Sequence, residues 1–232
     1  VINNFGGFYR TEIYLHEARL AGARIERPCI KNSQWLTRLE GTTIWLGFIH
    51  IKGIEEQVMY RLIKEREDGG YFQNLADLQC RTGMGSEQMD LLIRSDALRH
   101  WNIGWKALLW KSVALPRQNK GVQPMLFEPP GPPEIMPDLH YGSKDRALQD
   151  VELFGFTVES LFALAPVTSY STLPARCFAS HLGQEIQAEG YLVTVKPTRT
   201  AGGDRMFFGT FIDREGGVID TVHFPKVAVR YP

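Results

Sequence analysis

Two acid-x-acid pairs, Asp150/Glu152 and Asp213/Glu215, are the residues of this sequence best spaced to hold metal ions for phosphoryl transfer. The first pair lies in a predicted helix, where residues i and i+2 point to different sides. The second lies at a Gly-rich strand turn, the usual place of solvated acids. Neither pair is expected to bind a metal. Cys177 and His181 form a C-x3-H pair, but zinc needs four ligands, so two ordinary core residues are the simpler reading. Gly83-Met84-Gly85 begins a G-x-G, yet Gln88 stands at the sixth position and no strand precedes it. A turn ahead of a helix accounts for it. No G-x-x-x-x-G-K-S/T, H-E-x-x-H or G-x-S-x-G occurs. No catalytic residue, metal or cofactor is therefore expected in this chain.

Charge gives a different signal. Lys plus Arg and Asp plus Glu both number 26, so the chain as a whole is not a crude polyanion binder. Between residues 94 and 120, however, Arg94, Arg99, Lys106, Lys111, Arg117 and Lys120 face only Asp96. A solvated helix face explains such a run by itself; a phosphate backbone is the functional alternative. No stretch of about 18 apolar residues occurs, and no basic–apolar leader opens the chain, so a membrane or secreted setting is not expected. Cys29, Cys80 and Cys177 are odd in number and far apart, which fits a reducing cytosol. The chain opens on Val1 with a stretch already rich in aromatics, and reads as a piece of something longer.

These residues must be positioned by several small regions. The spacing predicts a helix over 11–21 with Tyr14, Ala18 and Ala21 on one face and Gly22 at its end. A short extended stretch broken by Pro28 follows. A chain of helices comes next, one over 55–67 with Val58, Met59, Leu62 and Ile63 on one face. Asn74, Ser86 and Asn102 are expected to cap three more. Seven prolines between 116 and 137 make regular structure improbable there. A helix resumes near Ser143 with Ala147, Leu148 and Val151 on one face. Three strand-like runs, 186–195, 205–213 and 218–224, are separated by Gly-rich turns. Three strands cannot close a barrel, so this last region is expected to be truncated.

Lys52-Gly53-Ile54, between an apolar stretch and an amphipathic helix, resembles a helix-hairpin-helix module, whose tight hairpin aims backbone N–H groups at a DNA phosphate. SEQMDLLIRSDALRHW, about forty residues on, resembles a second copy. Both depart from the pattern: Glu55 and Asp96 stand where glycines are usual, and each carboxylate would repel a phosphate. A purely structural helical repeat is the alternative.

A wider resemblance is collinear. NNFGGFYRTEIYLHEARLAGARIERPCI resembles the end of the fingers region in the α subunit of bacterial DNA polymerase III. LGFIHIKGI, GGYFQNLADLQCRTG, LLIRSDAL, ELFGFTVESLFAL and the segment from GYLVTVKPTRT to DTVHFP follow in the family's order. The resemblance implies a last segment that starts an OB-fold meeting single-stranded template. It also implies that the catalytic palm, with the Mg²⁺ of the parent polymerase, precedes Val1. Along the second strand Met206, Phe208 and Ile212 fall on one face, Phe207 and Phe211 on the other. One set must be core; the other, with Tyr191, Arg199 and Arg205, would stack bases and hold phosphates. Both are apolar, and the sequence leaves open which faces out. Gln123-Pro124-Met125-Leu126-Phe127 resembles the Q-x-x-L-F peptide with which bacterial polymerases grip the sliding clamp. An apolar anchor onto its own protein is the other reading.

The expectation is an α+β chain: the end of a fingers region (1–41), a helix-hairpin-helix-like domain (42–115), a Pro-rich linker with a clamp-binding motif (116–142), a helical connector (143–184) and a truncated all-β OB-fold (185–232). The expected function is DNA and clamp binding within a cytoplasmic replicase, alongside its other subunits. The parent is a DNA-directed DNA polymerase, a nucleotidyltransferase; this chain should be inactive alone. Clamp contacts are assigned to Gln123, Met125, Leu126 and Phe127, and DNA contacts to Lys52, Gly53, Arg94, Lys106, Lys111, Arg199, Arg205, Phe207 and Phe211. A free-standing DNA/clamp adaptor and an interaction scaffold without a DNA role are the rivals.

Overall fold

The computed structural model describes residues 1–113, 115, 142–165 and 172–230. They fall into two units, Val1–Gly6 with Ala21–Glu159 and Gly7–Leu20 with Ser160–Pro232. The helical unit carries a small mixed sheet and the second unit an antiparallel one, which makes the chain α+β. The first helix, α1 (Thr11–Leu20), belongs to the second unit. It buries Ile13 and Leu15, not the expected Tyr14–Ala18–Ala21 stripe. The larger apolar side chains take the interior because alanines offer little area to bury. Gly22 takes the left-handed conformation (φ 91°) just beyond its end.

In the helical unit, β1 (Arg24–Glu26) pairs in parallel with β3 (Thr43–Trp45), and β2 (Arg38–Glu40) pairs antiparallel with the other edge of β3. Four helices follow: α2 (Glu56–Gly69), α3 (Leu75–Thr82), α4 (Ser86–Arg94) and α5 (Trp105–Ser112). On α2 the expected face of Val58, Met59, Leu62 and Ile63 is buried. Asn74 caps α3 through its side chain, which accepts from the Asp77 N–H at 2.9 Å. Ser86 and Asn102 do not cap. Gly85 is the extended residue before α4, which leaves Ser86 already helical. Asn102 takes φ 55° to close a short 3₁₀ turn, Arg99–Trp101, and Gly104 precedes α5. Asn suits both places, because its short amide tolerates the left-handed region as well as capping a helix.

Helix α6 (Ser143–Phe154) completes this unit. It buries Ala147, Asp150, Leu153 and Phe154, whereas Leu148 and Val151, expected inside, are exposed. A buried ion pair from Asp150 to Arg27 sets the face. Asp150 also accepts from the Val158 N–H at 2.9 Å, which satisfies a carboxylate that would otherwise be costly to bury.

In the second unit, β4 (Tyr191–Arg199), β5 (Arg205–Ile212) and β6 (Val218–His223) form an antiparallel meander with β5 in the middle. Register runs from Tyr191↔Ile212 to Arg199↔Arg205, and a bulge at 192–194 interrupts it. Helix α7 (Pro225–Arg230) packs on β5 and β6. Ile13, Leu161 and Ile212 form a small core with Phe162, Tyr191 and Val193 against it. Asp213, expected to be solvated, is buried at the turn after β5. It accepts from the N–H groups of Ala175, Glu215 and Gly217. Burial alone would raise its carboxyl, but these backbone donors together hold it below the ordinary value.

Candidate nucleic-acid interface

The first hairpin, residues 51–55, turns at Gly53, whose φ of 79° explains why the position favours glycine. Glu55 sits at an extended backbone position (φ −87°) before α2, so its departure from glycine carries no strain. The hairpin's polar groups are held from inside the protein. Buried Gln88 of α4 donates through Nε2 to the Gly53 carbonyl at 3.2 Å and accepts from the Glu55 N–H at 2.9 Å. The Lys52 N–H donates to the Leu153 carbonyl of α6 at 2.8 Å. The Lys52 side chain is exposed and lies over Gly155: a Cβ built there would stand 3.2 Å from Nζ.

The second hairpin, residues 95–98, turns at Asp96 with φ 63°, where a glycine would be at ease. Its amides are used by the helix before it: Ser95, Asp96 and Ala97 donate to Leu91, Ile93 and Leu92. The Asp96 carboxylate meets Arg146 of α6 at 3.2 Å. Burial pushes its carboxyl upward, with Arg146, Arg27 and Arg99 opposing. This acid therefore has a cationic partner of its own, so its repulsion of a phosphate is muted.

The basic run divides. Arg94 donates to Gln149 at 2.8 Å, stands 3.7 Å from Asp90 and pairs closely with Glu152. Arg99 is committed to the Pro28 and Arg27 carbonyls and to Glu26, at 2.8 to 3.1 Å. Lys106 stands over the Trp105 ring at 5.5 Å. Lys111 is exposed beside a cavity of about 320 Å³, lined also by Asn74, Leu75, Trp101 and Leu108. The sequence reading gave no role in this site to Gln88, Arg146, Gln149 and Glu152, whose partners lie far along the chain. Arg117, Lys120 and the clamp-type residues Gln123, Met125, Leu126 and Phe127 lie outside the described residues.

On the sheet, Arg199 and Arg205 are cross-strand partners beside the turn at 200–204. The Arg205 guanidinium covers the Phe207 ring at 4.9 Å, and Arg199 reaches the Gly203 carbonyl at 3.5 Å. Phe207 and Phe211 are half-buried; Phe211 lies across Gly209, which leaves room for the ring. On the opposite face Phe208 is 46% exposed beside its partner Val222 at 47%. Ile212 of that face is buried. The two faces are thus both partly wet rather than one dry and one open. Among the described residues no group of three or more His, Cys, Asp and Glu is placed to hold a metal ion, and no helix is long and apolar enough to cross a membrane.

Residues 22–108, which contain both hairpins, match the family model of the helix-hairpin-helix motif. The error-prone DNA polymerase of Dechloromonas aromatica is 33% identical over 94 residues, covering 40% of this chain and 9% of that protein. The error-prone DNA polymerase of Mycobacterium bovis is 24% identical over 86% of this chain and 17% of its own length. The DNA polymerase III subunit alpha of Treponema pallidum is 23% identical over 96% of this chain and 21% of its own length. The chain is similar over most of its length to proteins of the DNA polymerase III α type. The chain spans about a tenth to a fifth of the length of the curated relatives named here. Both hairpins and the first residues of α5 fall inside the matched motif, whereas the rest of α5, α6 and the second unit lie outside it.

Proposed function

We propose that this chain supplies the DNA-contacting and clamp-binding part of a bacterial replicase α subunit, a cytoplasmic DNA-directed DNA polymerase whose palm carries the nucleotidyl transfer and its Mg²⁺. Lys52, Lys106 and Lys111 face duplex phosphates from the hairpin region. The sheet of the second unit is the beginning of an OB-fold, in which Arg199, Arg205, Phe207 and Phe211 meet unpaired template bases. Gln123, Met125, Leu126 and Phe127 engage the sliding clamp, and other replicase subunits assemble around it. The observation that carries this reading is the helix-hairpin-helix match over 22–108, with its turns at Gly53 and Asp96 both in the left-handed conformation. An Arg205 guanidinium already stacked on Phe207 supports the sheet's part, because a base can extend that stack.

Fluorescence anisotropy with a labelled duplex across a salt series tests it. Expected is a dissociation constant of roughly micromolar or weaker at physiological salt, with affinity falling steeply as salt rises. Lys106→Glu with Lys111→Glu should reduce both the affinity and the salt slope. Binding indifferent to salt, or no binding at any salt, sinks the reading.

A further inference from the structure

Three features of the helical unit converge on the last turn of α6. The last four carbonyls of a helix lack intrahelical partners, and that end carries about half a negative charge. One of those carbonyls, Leu153 O, accepts the Lys52 N–H of the first hairpin at 2.8 Å. The Lys52 ammonium lies over Gly155, the residue that closes the helix with φ 86°. From the second repeat, Arg94 aims its guanidinium at Gln149 and Glu152 of the same helix. A backbone N–H, an ammonium and a guanidinium, the groups that grip a DNA phosphate, thus all stand at this end of α6, the guanidinium on the Glu152 carboxylate. We propose that the last turn of α6, with the Glu152 carboxylate, is a built-in substitute for a phosphate, which masks Arg94 until DNA displaces it. This inference rests on the DNA-binding reading above and adds an internal competitor to it.

The masking contact is weakly held, as a competitor must be. The Glu152 side chain is 58% exposed and that of Arg94 22%, so the acid's side of the pair is open to water and to screening by salt. The middle of the helix is anchored separately, through the buried Asp150–Arg27 pair. Glu152 can therefore swing away while α6 stays docked. Arg94 is then left held by Gln149 at 2.8 Å and flanked by Asp90 of its own helix at 3.7 Å, already oriented to receive a phosphate oxygen.

The test is Glu152→Gln in the whole chain, measured by anisotropy on the same duplex over the salt series. Affinity should rise roughly three- to tenfold and the slope of log K against log salt should steepen by about 0.9, the signature of one further phosphate contact. Arg94→Gln combined with Glu152→Gln should bring both back to the wild-type values. Unchanged affinity and slope in Glu152→Gln overturns the inference while leaving DNA binding intact. A gain that persists in the double variant also overturns it, since removing any surface acid would then suffice. Failure of wild type and variants alike to bind the duplex removes the DNA-binding reading itself.

Discussion

The helical unit and the sheet unit bury their apolar residues in opposite ways. In the first, Leu46, Phe48, Met59, Leu62, Leu78, Leu92, Ile93 and Leu98 are wholly shielded from water. In the second, the described strands shield only Gly209, Ile212 and Ile219, while Phe208, Val195, Val218 and Val222 remain open to solvent. The helical unit is held by its own interior. The sheet is held by its backbone ladder and leaves large side chains facing water, where a partner or a nucleic acid can use them. Interior packing and contact surface are thus largely separated along the chain.

The contrast is sharpened first by the segment that lies outside both descriptions. Leu126→Ala with Phe127→Ala should abolish clamp binding in calorimetry, since each anchor contributes about 1.5–3 kcal/mol when fully buried in a partner. Thermal stability should not move; a large drop would make these residues anchors onto their own protein. Gln123→Ala should weaken clamp binding without abolishing it. Next, Leu92→Ala should cost about 2–5 kcal/mol in urea unfolding, because it empties space in a closed core. The matching change in the sheet unit, Phe208→Ala, should cost less than about 1 kcal/mol, because almost half of that ring is already wet. Equal costs would break the comparison.

A pH effect of intermediate size belongs to His50 of the helical unit. Burial pushes the His50 imidazole down to about 4 from its ordinary 6.5. The unfolded chain therefore takes up the proton first. The stabilisation is complete above pH 6.5 and is lost as pH falls from 6.5 toward 4. Between pH 8 and pH 5 the loss should be about 2 kcal/mol, and His50→Gln should flatten the profile. The experiment is urea unfolding at each pH; a flat wild-type profile would show that His50 charges freely in place.

Local pattern carried much of this architecture. Period and turn chemistry alone located α2, α3, α4 and the three strands of the meander, and Gly53 marked the first hairpin. What stayed hidden depends on partners distant in sequence. The buried face of α6 is set by Asp150 meeting Arg27, 123 residues away, so a reading of apolar spacing chose Leu148 and Val151 instead. The charge run marked Arg94 as a phosphate ligand, but could not show that Gln149 and Glu152 of α6 already hold it. Alternation on β5 sorted Phe207 and Phe211 from Phe208 correctly, yet it could not foresee that both faces stay partly wet.

The Gln88 amide has a consequence for how this part of the chain can be rearranged. It sits in the second repeat but completes the first, joining Gly53 and Glu55 across 33 to 35 residues. The two repeats are therefore not interchangeable modules. A first hairpin transplanted alone into another scaffold would leave the partly buried Gly53 carbonyl and Glu55 amide without their protein partners, and a second repeat given a foreign residue at 88 would do the same to its neighbour. Recombination that cuts between α2 and α4 is penalised on both sides of the junction, so the segment from Ile51 to Gln88 travels as one heritable block.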